Sequence, residues 1–460
     1  DHLFPEDTSD EAYPIKSIRI EVTGILGEGF LNFVRKSAQE LKLDGYVQPT
    51  DSTVEMIIAG RRHHVLCFLD RIGDWQGKDG SIVDGFRVWE YTGQVNEGLV
   101  FKEAIIKEKA DAKRQSVSGF ITKQLPVTRY ERANHYDESK YELNTQLFIE
   151  EFKRLGYQAK PFYEDLIKIE KDELSGITGM RFSSIFCDEV CENLYPVKKL
   201  LAFHGLPVAR GMRFKCREKN KIINYYKRMD RPMVATSLNP RGFTTRKIDR
   251  LKKLESFRKK ARDKGTNYLL LEEYVEGWHI CIGVVNGKAV GAMAIEPTSV
   301  VGDGSSNVLQ LIEEKNKMRT ENPWYQDKLI PIDQSLEKQL RSAGYELADI
   351  PAAGEKVFLE DEADLVLGGE TISIDSNLHD DFKEEAVQAV AAIPGLEFAF
   401  VHLIIPEPDQ PSKDQRWIVK KIDTNPAVAL FHFPWQGEPC NLVARVVSDL
   451  CLTNRTRWMK

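Results

Sequence analysis

"SVVGDGSSNVLQLIEEKNK", residues 299–317, is the most specific stretch of this sequence. A short apolar run, 299–301, meets a glycine turn at Gly302 and Gly304, and a helix follows. Its "GSS" at 304–306 lacks the G-x-S-x-G spacing that exposes a hydrolase serine on a tight elbow. Upstream, "RPMVATSLNPRGFTTRK" (231–247) reads as a hydrophobic strand, a turn with Gly242, then a basic helix. That is the layout of a loop that wraps nucleotide phosphates. Where such a loop usually carries a lysine, this one offers Ala235 and Thr236.

The chain of 460 residues has room for roughly two to four domains with real cores. Its 42% hydrophobic and 29% charged content is that of an ordinary globular protein. A net charge of −6 argues against a general binder of nucleic acid or anionic membrane. Seven cysteines form no regular framework, and the C-x3-C at Cys187 and Cys191 has no second pair, which suits buried thiols in a reducing compartment. No apolar run approaches the ~20 residues that span a bilayer, and the acidic first residues do not resemble a secretory signal. The expected location is the cytoplasm. Residues 246–264 contain ten Lys or Arg, a basic helix face that is either solvated or a dock for an acidic partner.

Toward the N-terminus, "KSIRIEV" (16–22) alternates as a strand, and "LNFVRKSAQELKL" (31–43) carries apolar residues at near-helical spacing. "GYV" (45–47) returns to strand, "STVEMIIAG" (52–60) is a further strand, "RRHHVLCFLDRIGDW" (61–75) a second helix, and "GFRVWEY" (85–91) a closing strand. This β-α-β-β-α-β order predicts a small sandwich of a sheet and two helices. A charged connector follows, then a helix running into a strand at 144–162 and a hairpin at 164–187. His63 and His64 fall on the second helix as solvent-facing residues, and the tryptophans show no stacking repeat.

The 299–317 segment resembles one in the ATP-grasp ligase module of cyanophycin synthetases and bifunctional glutathione synthetases. "LPVARG" (206–211), "LLLEEYVEGWHICIGVVNGKAVGA" (269–292), "EKVFLEDEADLVLGGETISI" (355–374) and "VKKIDTNPAV" (419–428) resemble further family segments in the same order. Residues 21–60, "EVTGILGEGFLNFVRKSAQELKLDGYVQPTDSTVEMIIAG", are similar to acylphosphatase. The resemblances imply an α+β chain: an acylphosphatase-like (ferredoxin-like) sandwich at 16–105, a connector and pre-ATP-grasp region at 106–190, and an ATP-grasp fold at 191–460.

ATP-grasp ligases activate a carboxylate as an acyl phosphate, so their site needs lysines for phosphates and carboxylates for magnesium. The resemblance places the phosphate lysines at Ala235 and Leu194, leaving Lys198, Arg241, Arg246 or Lys247 to substitute. It places the nucleotide cleft at Gly242, Arg241, Glu272, Glu273, Tyr274 and His279, with Cys281 at a neighbouring basic position. The family arginine and asparagine of the 355–374 segment become Glu360 and Asp364. One metal carboxylate becomes His402, and the other pair is retained as Asp423 and Asn425, with a His402–Asp423 hydrogen bond as the expected resting state. In the first module the phosphate arginine is Leu31 and the water-orienting asparagine is Pro49, with Glu28 in the loop, so hydrolysis is not expected. Together these replacements imply a pseudoenzyme that binds a ligand or partner, such as an active ligase. The alternative is a divergent carboxylate–amine ligase using ATP and magnesium. Expected partners are another protein, a second copy, or an amino acid or peptide, with neither nucleic acid nor membrane.

Overall fold

The computed structural model describes residues 15–26, 28–49, 53–73, 75, 82–91, 95, 99–101, 127–130, 136, 141–163, 166–172, 174–179, 182, 184–229, 231–239, 242–360, 363, 365, 368–455 and 457–459. Alternation puts Ile18, Ile20 and Val22 on one buried face of β1 (Ile15–Ile25). Four-residue spacing does the same for Phe30, Val34 and Ala38 on α1 (Glu28–Glu40). With β2 (Asp44–Pro49), β3 (Thr53–Arg61), α2 (Arg62–Gly73), β4 (Ile82–Glu90) and β5 (Leu99–Phe101) they form a sheet ordered β4-β1-β3-β2-β5. Gly45 is required where β2 meets β3: its φ is +133°, and an added Cβ would sit 1.7 Å from Ile57 O.

Next come α3 (Leu143–Arg154), β6 (Gln158–Tyr163), β7 (Leu166–Lys171) and β8 (Leu174–Gly179), the last two being the expected hairpin. Helices α4 (Ile185–Glu192) and α5 (Leu194–Phe203) follow. Strand β9 (Gly211–Lys215), α6 (Lys219–Met229), β10 (Met233–Asn239), β11 (Gly242–Ile248), α7 (Leu251–Asp263) and β12 (Tyr268–Glu273) form one layer pair. Their sheet runs β11-β10-β12-β9, with α6 and α7 closing a core on one face.

Here the expected basic helix after Gly242 is corrected. Residues 242–248 are a strand antiparallel to β10, and the helix begins only at Leu251. The β-branched Thr244 and Thr245 favour the pleated ladder, and Thr245 Oγ1 lies 3.2 Å from Thr236 Oγ1 across it. Arg246 and Lys247 therefore belong to a strand.

The remaining elements are β13 (Trp278–Val285), β14 (Lys288–Glu296), β15 (Ser299–Val301), α8 (Val308–Glu321), α9 (Gln334–Ser342), β16 (Lys356–Phe358), β17 (Glu370–Ser373), α10 (Asp380–Ala391), β18 (Phe398–Ile405), β19 (Ile418–Asp423), α11 (Ala429–His432), α12 (Leu442–Val446) and β20 (Arg457–Met459). The central sheet is β17-β14-β13-β18-β19, and β20 joins β8. Helix α8 starts as the sequence pattern requires: Asn307 and Gln310 make a reciprocal capping box. Its Lys315 and Arg319 are buried and share the carboxylate of Glu370, at 2.6 and 2.9 Å. Both cations also stand over the Trp435 ring.

The chain divides into two compact units, residues 1–115 with 192–275, and 116–191 with 276–460. Trp75 stacks on Phe33, Trp417 meets Phe382 edge-on, and Trp435 meets Tyr325 edge-on. No helix among the described residues is long and apolar enough to cross a membrane.

Candidate functional site

In the first unit, the face of the β11-β10-β12-β9 sheet away from α6 and α7 carries Thr236, Leu270 and Arg213 in one row, and Lys247, Val234 and Glu272 in the next. Glu272 lies on an interior strand and is buried, not an edge charge. Its carboxylate accepts a hydrogen bond from Lys198 Nζ on α5. Burial pushes the Glu272 carboxyl up, and the ammonium opposes that shift. Gly211, on the neighbouring strand, leaves room for this pair, since a Cβ there would sit 2.5 Å from Glu272 Cγ. Glu273 accepts from Arg210 N at 3.0 Å and from Arg231 Nη1 at 3.4 Å. Tyr274 offers its ring to Lys247 Nζ, 3.7 Å from the centroid.

In the second unit, His279 on β13 and His402 on β18 are both buried. His279 Nε2 lies 2.9 Å from His402 Nδ1. The other ends of this pair face Ala363 O at 3.3 Å and Lys420 Nζ at 3.5 Å (from His279 Nδ1), and Cys281 Sγ at 4.0 Å (from His402 Nε2). A bulge between β18 and β19 sets Lys421 opposite His402 and leaves Lys420 unmatched in the ladder. Burial first, then the lysine charges, holds both imidazoles well below their usual range, so they are neutral. Burial likewise pushes the Cys281 thiol up, which makes it unreactive. Asp423 pairs with Phe400 in the ladder, and its Oδ1 accepts from Asn425 N at 3.1 Å.

The acylphosphatase family model matches residues 18–102. A crystal structure of a bifunctional glutathione synthetase from Pasteurella multocida superposes with a TM-score of 0.52 at 22% identity, over 67% of this chain and 44% of that one. The chain joins an acylphosphatase-like domain to an ATP-grasp fold. Among curated proteins, the glutathione biosynthesis bifunctional protein GshAB of Clostridium perfringens is 28% identical over 37% of this chain and 22% of its own length. The cyanophycin synthetase of Nostoc sp. is 27% identical over 60% of this chain and 30% of its own length. The chain thus spans less than a third of either relative.

On the ATP-grasp fold, the position expected for a phosphate lysine needs correction. Ala235 points into the core beneath α6 and α7, so a lysine there would be buried in apolar side chains. The residue on the sheet face away from α6 and α7 is its neighbour Thr236, which is buried and itself bonded to Thr245. Leu194 is buried, and Lys198, one helical turn along, is committed to Glu272. Gly242 opens β11, while Arg241 and Asp364 lie outside the described residues. Glu360 follows β16 and is half-buried.

The expected His402–Asp423 hydrogen bond is also corrected: His402 pairs with His279, and the ladder puts Lys421 beside it. Magnesium wants an octahedron of oxygens, chiefly carboxylates. Two mutually bonded imidazoles flanked by two ammonium groups do not supply one, and Asp423 serves as a turn cap. Among the described residues no group of three or more His, Cys, Asp or Glu could hold a metal ion. In the acylphosphatase-like domain, Leu31 packs on the sandwich core, Pro49 ends β2 opposite Val54, and Glu28 is exposed at the start of α1. Arg35 on the same helix donates to Asn32 Oδ1 at 2.9 Å. His64 is half-buried, while the side chain of His63 lies outside the described residues.

The histidine pair sets a pH dependence. A neutral buried imidazole has a folded-state pKa below its unfolded value near 6.5, so its stabilisation is complete above that pH and is lost as pH falls. His432, held to about 4 by burial, adds to the same trend. Urea unfolding should show stability falling by about 1.4 kcal/mol per pH unit for each such histidine between roughly pH 6.5 and 5. His402→Gln should flatten this slope. A flat profile in the parent protein contradicts the neutral pair.

Proposed function

We propose that this protein is a catalytically silent ATP-grasp scaffold that acts by binding a ligand or a protein partner. The observation that carries the reading is the His279–His402 pair with Lys420 and Lys421 where an ATP-grasp ligase needs carboxylates. Divalent cations are repelled there, and a magnesium-bridged triphosphate has nothing to anchor its metal. The phosphate side adds to this, with the uncharged Thr236 on the sheet face away from α6 and α7 and Lys198 neutralised by Glu272. The names of the relatives support an origin among enzymes that build glutathione or cyanophycin, and the choice of ligand is left to the binding surfaces rather than to the fold.

Calorimetry with ATP and magnesium tests this reading. Each missing charge-assisted phosphate contact costs about 1.5–3 kcal/mol, so ATP should bind at roughly millimolar Kd or weaker. No ADP should form with a mixed amino-acid pool. Low-micromolar binding with ADP release would replace this reading with the divergent ligase, for which the retained Glu272 is the supporting residue.

A further inference from the structure

Helix α5 reaches the face of the β11-β10-β12-β9 sheet away from α6 and α7, where its Lys198 bonds Glu272. On the same face Arg213 of β9 and Tyr268 of β12 are diagonal neighbours. The Arg213 guanidinium lies 4.8 Å from the Tyr268 ring centroid and 4.7 Å from that of Tyr195, which α5 supplies. Lys199 adds a further cation to the Tyr195 ring, 5.2 Å from its centroid. Lys199, Tyr195, Arg213 and Tyr268 thus form one chain of cation–π contacts that ties α5 to the β9 margin of the sheet.

Lys215 is the next residue of β9 on that face. It and Arg213 are exposed, and neither side chain makes a hydrogen bond or ion pair to a described residue. The nearby carboxylates are spent: Glu272 on Lys198, and Glu218 on Lys221 and the Lys215 backbone N–H. The two rings hold the plane of the Arg213 fork, so little rotamer entropy remains to be lost when its N–H edge meets a carboxylate. Arg213 and Lys215 stand about 7 Å apart along the strand, which is also the spacing of alternate side chains in an extended peptide. Tyr and Arg are the side chains that dominate binding energy at protein interfaces. Both rings are already engaged by cations, so they offer poor platforms for stacking bases. Among the described residues no large apolar side chain of α5, β9 or β12 is exposed, which leaves a membrane nothing to take up.

We propose that the β9 margin of this face binds an extended acidic segment of a partner polypeptide, with alternate Asp or Glu carboxylates on Arg213 and Lys215 and with Lys199 beside them. Arg213 supplies an oriented fork and the lysines flexible point charges. The basic helix α7 lies on the other side of the sheet and takes no part. This binding does not rest on the silence of the nucleotide cleft.

The test is fluorescence anisotropy of the full chain, without nucleotide, using a fluorescein-labelled peptide of alternating Ser and Glu, with its Ser–Gln counterpart as the uncharged control. The Glu peptide should bind and the Gln peptide should not. Arg213→Gln should weaken binding at least about tenfold through loss of charge-assisted hydrogen bonds. Arg213→Lys, which keeps the charge without the fork, should also weaken it. Tyr268→Phe, which keeps the ring, should bind as the parent does. Lys252→Gln/Lys259→Gln, on the exposed side of α7, should leave binding unchanged. Circular dichroism and melting temperature of each variant should match the parent. Any of four results would overturn the proposal: no anisotropy change at about 100 µM protein, no effect of either Arg213 variant, equal weakening by the α7 variant, or tighter binding of a mixed-sequence oligonucleotide at the same salt.

Discussion

Glu370→Gln should unfold the second unit at markedly lower denaturant, with a loss of at least about 3–5 kcal/mol. The carboxylate lies between Lys315 and Arg319, all three buried, and Burial already pulls the lysine's pKa down against the attraction of Glu370. An amide of the same shape keeps the packing but leaves two cations without their counter-ion. Arg319 retains its bonds to Lys328 O and Gly368 O, so the fold has reason to hold together locally while the charge cost remains. Urea melts of the parent and the variant measure the loss. Adding Lys315→Met should recover part of it, because one fewer charge is then stranded. A single variant within 1 kcal/mol of the parent would show that water reaches this network and that it is far less costly than its burial implies.

Lys198→Met is the second large effect. It strands Glu272 in the first unit, and the expected loss is again about 3–5 kcal/mol, or roughly 6–20 °C in melting temperature for a unit of this size. The carboxyl, already pushed up by burial, should then shift further up, because the ammonium that opposes the shift is gone. Lys198→Met with Glu272→Gln should melt closer to the parent than the single variant. If the single variant instead binds ATP more tightly, the ion pair masks a carboxylate that nucleotide can use, and the silent-scaffold reading weakens.

Much of the fold was legible because it rests on local periodicity. The alternation in 16–22 and 52–60, and the four-residue spacing of Phe30, Val34 and Ala38, locate the sandwich without any tertiary information. The basic run after Gly242 misled because charge says nothing about backbone. The strand at 242–248 is set by pairing with 233–239, and Thr244–Thr245 was the available local signal. The site was less readable still. Whether Ala235 or Thr236 faces away from α6 and α7 turns on a single residue of register. His279 and His402 are 123 residues apart and meet only because β13 and β18 are adjacent strands, and Lys198 meets Glu272 across 74 residues by a helix packing beside β12. No spacing rule within one segment could have found either pair.

The bulge in β19 bears on whether a carboxylate pair could be built beside β18. Exchanging His402→Asp and Lys421→Glu would set two carboxylates directly across the ladder. Lys420, however, occupies an extra backbone position, and its ammonium reaches the neighbouring His279. A recreated acid pair would therefore face a built-in cation that competes for it. Removing that cation requires a third change at Lys420, either a substitution or a deletion that would leave β19 a regular ladder against β18. Single substitutions at His402 or Lys421 are thus expected to gain no metal while Lys420 remains.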